Sequence, residues 1–252
     1  MLKTRVIPTL LYREFGLVKG ERFDSWRPVG SAIQAIKVYN MRAVDEIVFL
    51  DVAATPEGRG PDFALVDELA DECFMPMAVG GGVRTLDDVR TLLQVGADKV
   101  VVGTAAAEEP DVVNAASDRY GAQCVMVSID TAAGADGSST VRSRCGRQDT
   151  GRDPVEFALD MEARGAGELL LTSVDRDGTM TGYDIETIRR VADAVSVPVI
   201  ASGGAGSYDD MARALLDGHA SAVAAASIFH FTQQTPMEAK QHLRSAGVPV
   251  RM

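Results

Sequence analysis

Cysteines, aromatic residues and long apolar runs are all scarce in this chain. The three cysteines, Cys73, Cys124 and Cys145, lie far apart and form no C-x-x-C pair, which favours reduced thiols over disulfides or a zinc site. No segment reaches the roughly 18 apolar residues that a membrane-spanning helix needs. The first five residues lead into a strand and not into the apolar core of a signal peptide. We therefore expect a soluble, cytoplasmic protein with no membrane partner.

Basic residues are outnumbered, with 25 Lys and Arg against 36 Asp and Glu and a net charge of −11. This balance argues against a nucleic-acid partner and leaves no polybasic membrane patch. A chain of 252 residues with 46% hydrophobic content is large enough to bury a substantial core. We expect one domain that spans residues 1–252.

The chain is built around the stretch Val197-Pro-Val-Ile-Ala-Ser-Gly-Gly-Ala-Gly206, which Ser207-Tyr-Asp-Asp210 follows. A β-branched run predicts a buried strand. The glycines lack a Cβ and leave the backbone accessible, and Ser207 is positioned to cap a helix. The same design occurs 122 residues earlier, in Met75-Pro-Met-Ala-Val-Gly-Gly-Gly-Val83. The chain is therefore predicted to contain two similar halves, each holding several strand-helix units.

Eight short apolar runs alternate with helical patterns along the chain. They are nearly continuous in apolar residues, as is typical of parallel strands covered on both faces. Eight strand-helix units with a two-half repeat favour a closed (βα)8 TIM barrel over a doubly wound open sheet. The predicted strands are 6–11, 47–52, 77–79, 100–102, 125–129, 169–172, 197–201 and 222–226.

In such a barrel, function is expected where the strands run into the helices. Four of these strand ends are bare or carry small polar residues: Gly80-Gly-Gly82, Gly103-Thr104, Gly203-Gly204 and Ala225-Ala-Ser227. Backbone N–H groups and helix N-termini at such turns suit phosphate. We expect two phosphate sites, made by Gly81, Gly82, Gly103 and Thr104 and by Gly203, Gly204, Ala226 and Ser227. The alternative is that these glycines serve tight turns and close packing alone.

Acidic residues at the same rim are candidates for proton transfer or for binding a ligand. Asp51 ends the second strand, Asp130 ends the fifth, and Asp175-Arg-Asp-Gly178 follows the sixth. Asp130 is the strongest catalytic candidate because it directly ends the run Val125-Met-Val-Ser-Ile129. Asp177 and Gly178 are expected to offer an acid and backbone N–H groups. The corresponding position on the first strand is Leu11, which transfers no proton.

Four charged residues stand at or just before strand starts and should meet at the opposite end of the barrel: Arg5, Glu46, Lys99 and Glu168. Two positive and two negative charges neutralise one another in a closed ring. Such a ring either stabilises that face or gates a passage through the barrel.

Over essentially its full length, the sequence resembles the cyclase-subunit family of imidazole glycerol phosphate synthase, the synthase half of a glutamine amidotransferase. The motifs that carry the resemblance include Leu17-Val-Lys-Gly20, Asp45-Glu-Ile-Val-Phe-Leu-Asp51, Val127-Ser-Ile-Asp130 and Ser173-Val-Asp-Arg-Asp-Gly178. The resemblance implies that ammonia from a separate glutaminase subunit passes a gate formed by Arg5, Glu46, Lys99 and Glu168. It also implies that Asp98 contacts this glutaminase.

The resemblance further implies a bis-phosphorylated ribulosyl aminoimidazole carboxamide substrate, with no metal or organic cofactor. Lys19, in the long loop 12–30, would close over this substrate. Two departures stand out: Leu11 replaces the first of the family's two catalytic aspartates, and Gly103 replaces the asparagine usual in the first phosphate site. With Glu72-Cys-Phe-Met-Pro76 and Asp153-Pro-Val-Glu-Phe157, they resemble a divergent branch associated with surface-polysaccharide genes.

Three functional hypotheses follow. The first is the synthase of histidine biosynthesis, with Asp130 retained. The second is amidation of a nucleotide-activated sugar in surface-polysaccharide biosynthesis, through the same barrel and ammonia route. The third is a catalytically silent scaffold that binds ligand and activates its glutaminase partner. The replacement at Leu11 keeps all three open, because losing a positioned proton donor costs on the order of a hundred- to ten-thousandfold in rate.

Overall fold

The computed structural model describes residues 3–14, 16–42, 44–134 and 137–252. Across these ranges, no helix is both long and apolar enough to cross a membrane. The strands are β1 (Arg5–Arg13), β2 (Gly16–Glu21), β3 (Asp24–Gly30), β4 (Ile47–Asp51), β5 (Met77–Gly80), β6 (Lys99–Val102), β7 (Val125–Ala133), β8 (Ser139–Ser143), β9 (Gln148–Asp149), β10 (Glu168–Ser173), β11 (Val199–Ser202) and β12 (Ala222–Ala225).

Within the described residues, eight parallel strands close on themselves. Each pairs in parallel with the next around the circle, in the order β1, β4, β5, β6, β7, β10, β11, β12 and back to β1. The predicted (βα)8 barrel is confirmed. Closure leaves every barrel strand paired on both sides, which explains why their sequences are apolar almost throughout.

The helices are α1 (Ala32–Met41), α2 (Phe63–Glu72), α3 (Leu86–Gln94), α4 (Thr104–Glu108), α5 (Asp111–Tyr120), α6 (Pro154–Ala163), α7 (Ile185–Ala192), α8 (Tyr208–Leu216), α9 (Ser227–Phe231) and α10 (Pro236–Ser245). The predicted cap at Ser207 is confirmed, because its side chain accepts from Asp210 N at the start of α8. Ser31 makes no side-chain cap to α1, whereas Asp184 does cap α7 by accepting from Thr187 N.

The predicted two-half repeat extends to matching capping boxes. Thr85 and Asp88 exchange side-chain and backbone hydrogen bonds at the start of α3, and Ser207 and Asp210 do the same at the start of α8. Both pairs are separated by the 122-residue interval seen in the sequence. Each box satisfies N–H groups that a helix start otherwise leaves unpaired.

The barrel encloses an apolar inner layer, distinct from the larger core between strands and helices. Side chains alternate along a strand, so every second residue points into the barrel. The inward-facing residues on either side of this layer therefore lie above and below it. On β1, for example, Ile7 faces inward between Arg5 at one end and Thr9 and Leu11 at the other. The layer consists of Ile7, Val48, Ala78, Val101, Met126, Leu170, Ile200, Ala222 and Ala224.

Two segments form β-hairpins at the carboxyl face. The prediction that 12–30 is a long loop is wrong: β1 runs on to Arg13, and β2 and β3 form an antiparallel ribbon that continues it. Phe15, inside this segment, lies outside the described residues. Segment 131–152 also forms a hairpin, with β8 pairing to β7 and β9 to β8. Ala135 and Asp136, within it, also lie outside the described residues.

Candidate active site

A cavity opens at the carboxyl ends of the barrel strands and brings together nearly all the residues predicted to form the substrate site. Asp130 and Leu11 both line it. So do the predicted binding residues Asp51, Gly81, Gly82, Gly103, Thr104, Asp177, Gly178, Gly203, Gly204, Ala226 and Ser227. Among the residues predicted for this site, Lys19 alone does not line the cavity. The barrel topology explains the convergence, because parallel strands end at a common rim.

The two glycine turns require glycine for steric reasons as well as conformational ones. Gly81 and Gly203 have φ values of +106° and +83°, in the region that side chains disfavour. A Cβ on Gly81 would lie 2.3 Å from the carbonyl oxygen of Asp51, and one on Gly204 would lie 2.3 Å from that of Gly182. The backbone is therefore close-packed on one side and open to the cavity on the other.

The neighbouring strand ends start short helices that also face the cavity. Gly103 is the residue before α4 and Ala226 the residue before α9, and neither provides a side-chain cap. At Gly103 an added Cβ would have its nearest neighbour at 3.7 Å, so space remains where a larger side chain would fit. The hydroxyl of Thr104 accepts a hydrogen bond from Arg144 N at 3.0 Å, which ties α4 to the β8–β9 turn.

Asp130, the predicted proton-transfer residue, lies in the cavity. Its carboxyl accepts a hydrogen bond of 3.2 Å from Ser128 Oγ, two residues earlier on the same inward face of β7. Asp130 is partly exposed and lines the cavity. Loss of hydration raises its pKa to about 7; the Ser128 hydrogen bond opposes this rise, and the Asp177 charge adds to it.

A carboxyl with a pKa of about 7 is present in both protonation states near neutral pH. It can therefore act as an acid in one step and as a base in the next. Leu11, on β1, is 8% exposed and presents an apolar side chain to the same cavity. Thr9 lies one alternation deeper, and its buried hydroxyl oxygen has no hydrogen-bond partner among the described residues.

Asp51 lines the cavity, but its carboxylate is already engaged by its own loop. It accepts from Arg59 Nη1 at 2.6 Å and Nη2 at 2.9 Å, and from the backbone N–H groups of Ala53 and Ala54. A bidentate guanidinium pair is among the strongest hydrogen-bonded contacts in proteins. Asp51 therefore organises the turn that follows β4, and Arg59 reaches its pair from the rim.

Lys19 lies on β2 with only 2% of its surface exposed. Its ammonium donates to Thr9 O at 3.4 Å, and burial lowers its pKa to about 8 while the Asp177 charge opposes the shift. The β2–β3 hairpin is also tied to the loop after β10, because Arg22 N donates to Asp177 O at 2.9 Å. Lys19 thus lies behind the cavity wall, at the base of the hairpin.

Phe23, Trp26 and Cys145 line the cavity but were not identified from the sequence. Phe23 and Trp26 come from the β2–β3 hairpin, and isolated aromatics in a predicted loop carry no periodic signal. Cys145 lies in the β8–β9 turn with a φ of +56°, and its thiol approaches Val52 O at 3.7 Å. Burial is the larger cause and the Asp130 charge the next of a rise in the pKa of this thiol to about 12. The thiol therefore stays protonated and unreactive.

At the other end of the barrel, the four predicted charges meet in a closed ring of alternating sign. Arg5 Nη1 lies 2.5 Å from Glu46 and 3.1 Å from Glu168, and Lys99 Nζ lies 2.8 Å from Glu46 and 2.9 Å from Glu168. The side chain of Glu46 is only 3% exposed, whereas the other three are 15–23% exposed. Each charge touches two of opposite sign, so the ring is neutral and closes the lumen below the apolar layer.

Asp98 is exposed on the same face, one residue before Lys99. Its carboxylate accepts from Met77 N at 2.9 Å, and its own N–H donates to Met77 O. These bonds fix the start of β6 and hold Asp98 near the ring.

The fold and the site define a class of protein. It is a (βα)8-barrel enzyme that has glycine turns and an acidic residue at one end of the barrel and a ring of ion pairs that closes the other end. The chain belongs to the histidine biosynthesis protein family, whose model matches residues 5–235. It is 50% identical, over 253 aligned positions, to proteins from two strains of Caulobacter vibrioides, each described as imidazole glycerol phosphate synthase subunit HisF. Each alignment covers the whole chain and 97% of the relative.

Proposed function

We propose that this protein is the cyclase subunit of an imidazole glycerol phosphate synthase and acts in histidine biosynthesis. It uses ammonia to convert a bis-phosphorylated ribulosyl aminoimidazole carboxamide by ring closure and carbon–nitrogen cleavage. The observation that carries the proposal is the arrangement along one barrel axis: an ionic ring, an apolar layer, and a cavity that holds Asp130 between paired glycine turns. Full-length similarity to the HisF proteins supports it.

The two groups of glycine-bearing strand ends on this rim suit the two phosphates of such a substrate. Gly81 and Gly82 with Gly103 and Thr104 form one site, and Gly203 and Gly204 with Ala226 and Ser227 form the other. Backbone N–H groups at these turns bind phosphate without requiring a cation. Asp177 and Gly178 line the cavity, and Lys19 lies on the hairpin that covers it.

A glutaminase subunit is the proposed partner, docked on the face that bears the ionic ring and Asp98. The apolar layer above the ring admits neutral ammonia and disfavours ammonium, because burying an unpaired charge is costly. Arg5, Glu46, Lys99 and Glu168 act in this proposal as the gate. Opening it requires only that one cation swing away from its two acids.

Asp130 is the proposed acid–base residue. In the absence of a second acid at Leu11, one carboxyl that titrates near neutral pH transfers protons in both directions. No metal or organic cofactor takes part in the proposed reaction.

The test uses purified protein, an ammonium salt and the bis-phosphorylated substrate, with substrate consumption followed over time. Turnover should fall by at least a hundredfold in Asp130→Asn. It should be unchanged in Asp118→Asn, the same substitution on the exposed face of α5. Turnover that survives Asp130→Asn would contradict the role of Asp130.

Leu11 favours a second candidate function, since its apolar side chain occupies the cavity where a second acid is expected. In this alternative, ammonia from the glutaminase amidates a nucleotide-activated sugar in surface-polysaccharide biosynthesis; a silent scaffold that activates the glutaminase is the further possibility. Absence of cyclase turnover that Leu11→Asp restores would support these alternatives. Ammonia transfer to a nucleotide-linked sugar in the presence of the glutaminase would then separate them. Failure of the substrate to bind at all would overturn the phosphate assignment.

A further inference from the structure

Ser128 and Asp130 stand two residues apart on β7, and both side chains face the cavity. The Ser128 hydroxyl donates to Asp130 Oδ1 at 3.2 Å. Among the residues that the structure describes, no other side chain hydrogen-bonds to this carboxyl. One rotatable hydroxyl is therefore the contact that selects an orientation for the acid, because a carboxylate end group otherwise turns freely about its last torsion.

We propose that Ser128 is a positioning residue for Asp130, holding one carboxyl oxygen back against β7 so that the other faces the cavity. This inference rests on the proposed function in one respect, namely that Asp130 transfers protons to and from substrate. Ser128 itself neither gains nor loses a proton in the reaction. Its hydroxyl donates a hydrogen bond to the ionised carboxyl. When the carboxyl is protonated, the hydroxyl either accepts a hydrogen bond from it or makes none.

The remaining surroundings of Asp130 leave this task to Ser128. Loss of hydration disfavours ionisation of Asp130, and so does the charge of Asp177, after β10. Lys19 faces Asp177 from β2, and its charge acts on that carboxyl. On β8, Arg142 lies directly across from Asp130, but its guanidinium donates to Ala133 O and pairs with Asp149. Cys145, from the β8–β9 turn, is a neutral thiol.

A hydrogen bond to the ionised form stabilises that form, so Ser128 opposes the rise in the Asp130 pKa. Removing the hydroxyl leaves the loss of hydration and the Asp177 charge unopposed. The carboxyl then both loses its fixed orientation and stays protonated to higher pH. A residue that served packing alone would cause neither change.

The test compares Ser128→Ala with Ser128→Thr, which keeps a hydroxyl. In the cyclase assay, Ser128→Ala should lower kcat by about three- to tenfold at neutral pH, with KM nearly unchanged. The limb of the pH–rate profile that belongs to Asp130 should move up by about half a pH unit to one unit. Ser128→Thr should restore both towards wild type. A fall in kcat with no movement of the profile would overturn the proposal.

A second measurement does not depend on the reaction. The pKa of Asp130 is obtained in the free protein from carboxyl NMR resonances, assigned by their loss in Asp130→Asn. Ser128→Ala should raise this pKa and Ser128→Thr should not. If the wild-type protein shows no cyclase turnover but the NMR shift appears, the proposed function fails and the positioning contact stands. If turnover is normal and the pKa is unmoved, the positioning contact fails alone.

Discussion

Gly81 and Gly203 are sterically equivalent residues in the two halves of the barrel. A Cβ on Gly81 would meet the carbonyl oxygen of Asp51 at 2.3 Å, and one on Gly203 would meet that of Ser173 at 2.6 Å. Asp51 and Ser173 are separated by the same 122 residues as the glycines themselves. The two halves therefore share the close contact between this glycine and a carbonyl oxygen of the preceding strand, as well as the order of strands and helices.

Gly81→Ala should destabilise the protein far more than a glycine substitution that only forces an unusual φ. Gly58 is the matched control, because its φ is +71° and no atom lies within 4 Å of the position that an added Cβ would take. We expect about 1–2 kcal/mol lost for Gly58→Ala and about 3 kcal/mol or more for Gly81→Ala, where overpacking adds to the strain. Urea denaturation measures both. Equal losses would mean that the loop after β4 yields freely to the added methyl group.

Breaking the ionic ring should cost stability that an exposed ion pair does not provide. Lys99→Met removes a cation that contacts both Glu46 and Glu168, and it leaves two carboxylates sharing Arg5 alone. Since the ring is partly exposed, we expect a loss of about 1–3 kcal/mol in the free energy of unfolding. Arg213→Met, in the exposed pair with Asp217, should change it by less than about 0.5 kcal/mol. Similar values for the two variants would argue that solvent screens the ring completely.

Asp130 should make stability depend on pH in a defined window. Its pKa is raised from 3.8 to about 7 in the folded protein, so ionisation favours the unfolded chain. Wild-type stability relative to Asp130→Asn should be highest at about pH 4 and below, should fall as pH rises to about 7, and should then stay level. Thermal unfolding of both proteins between pH 4 and 9 gives this difference. A difference that grows in favour of wild type over that range would show that the carboxyl is stabilised as an anion.

Lys19 should oppose stability at neutral pH. Burial lowers its pKa from 10.5 to about 8, so the folded protein loses this proton before the unfolded chain does. The charged ammonium is least well accommodated below pH 8, and the penalty is relieved as pH rises from about 8 to 10.5. Lys19→Met should therefore raise the melting temperature at pH 7, with a smaller advantage at pH 10. Lys37→Met, at a half-exposed lysine, is the control and should change little at either pH. A lower melting temperature for Lys19→Met at pH 7 would mean that the ammonium is well paired.

The closed barrel was predictable from the sequence because each parallel strand is buried on both faces and several units carry a local helix-start signal. Thr85 with Asp88 and Ser207 with Asp210 are signals contained within four residues, and the structure realises both as capping boxes. The meeting of Arg5, Glu46, Lys99 and Glu168 also followed from topology alone, since strand starts in a closed barrel share one end.

What the sequence did not reveal depends on packing between distant segments. The hairpin at β2 and β3 lacks a short turn signal at its tip, where Arg22 and Phe23 both adopt positive φ. Its aromatic contacts to the cavity could not be predicted once the segment was taken for a loop. Cys145 reaches the cavity for a similar reason, because the β8–β9 turn folds back over β4. The engagement of Asp51 by Arg59 depends on a loop conformation that no periodic pattern encodes.

Strand β1 runs without interruption from the ionic ring to the hairpin that covers the cavity. Arg5 stands at one end and Arg13 at the other, about 26 Å apart at the usual rise of a strand. The strand is hydrogen-bonded to β12 over residues 5–8 and to β4 over residues 9–12, and at its far end it continues into the hairpin. Among the four residues of the ring, Arg5 therefore has the shortest covalent connection to the hairpin that lies over the cavity.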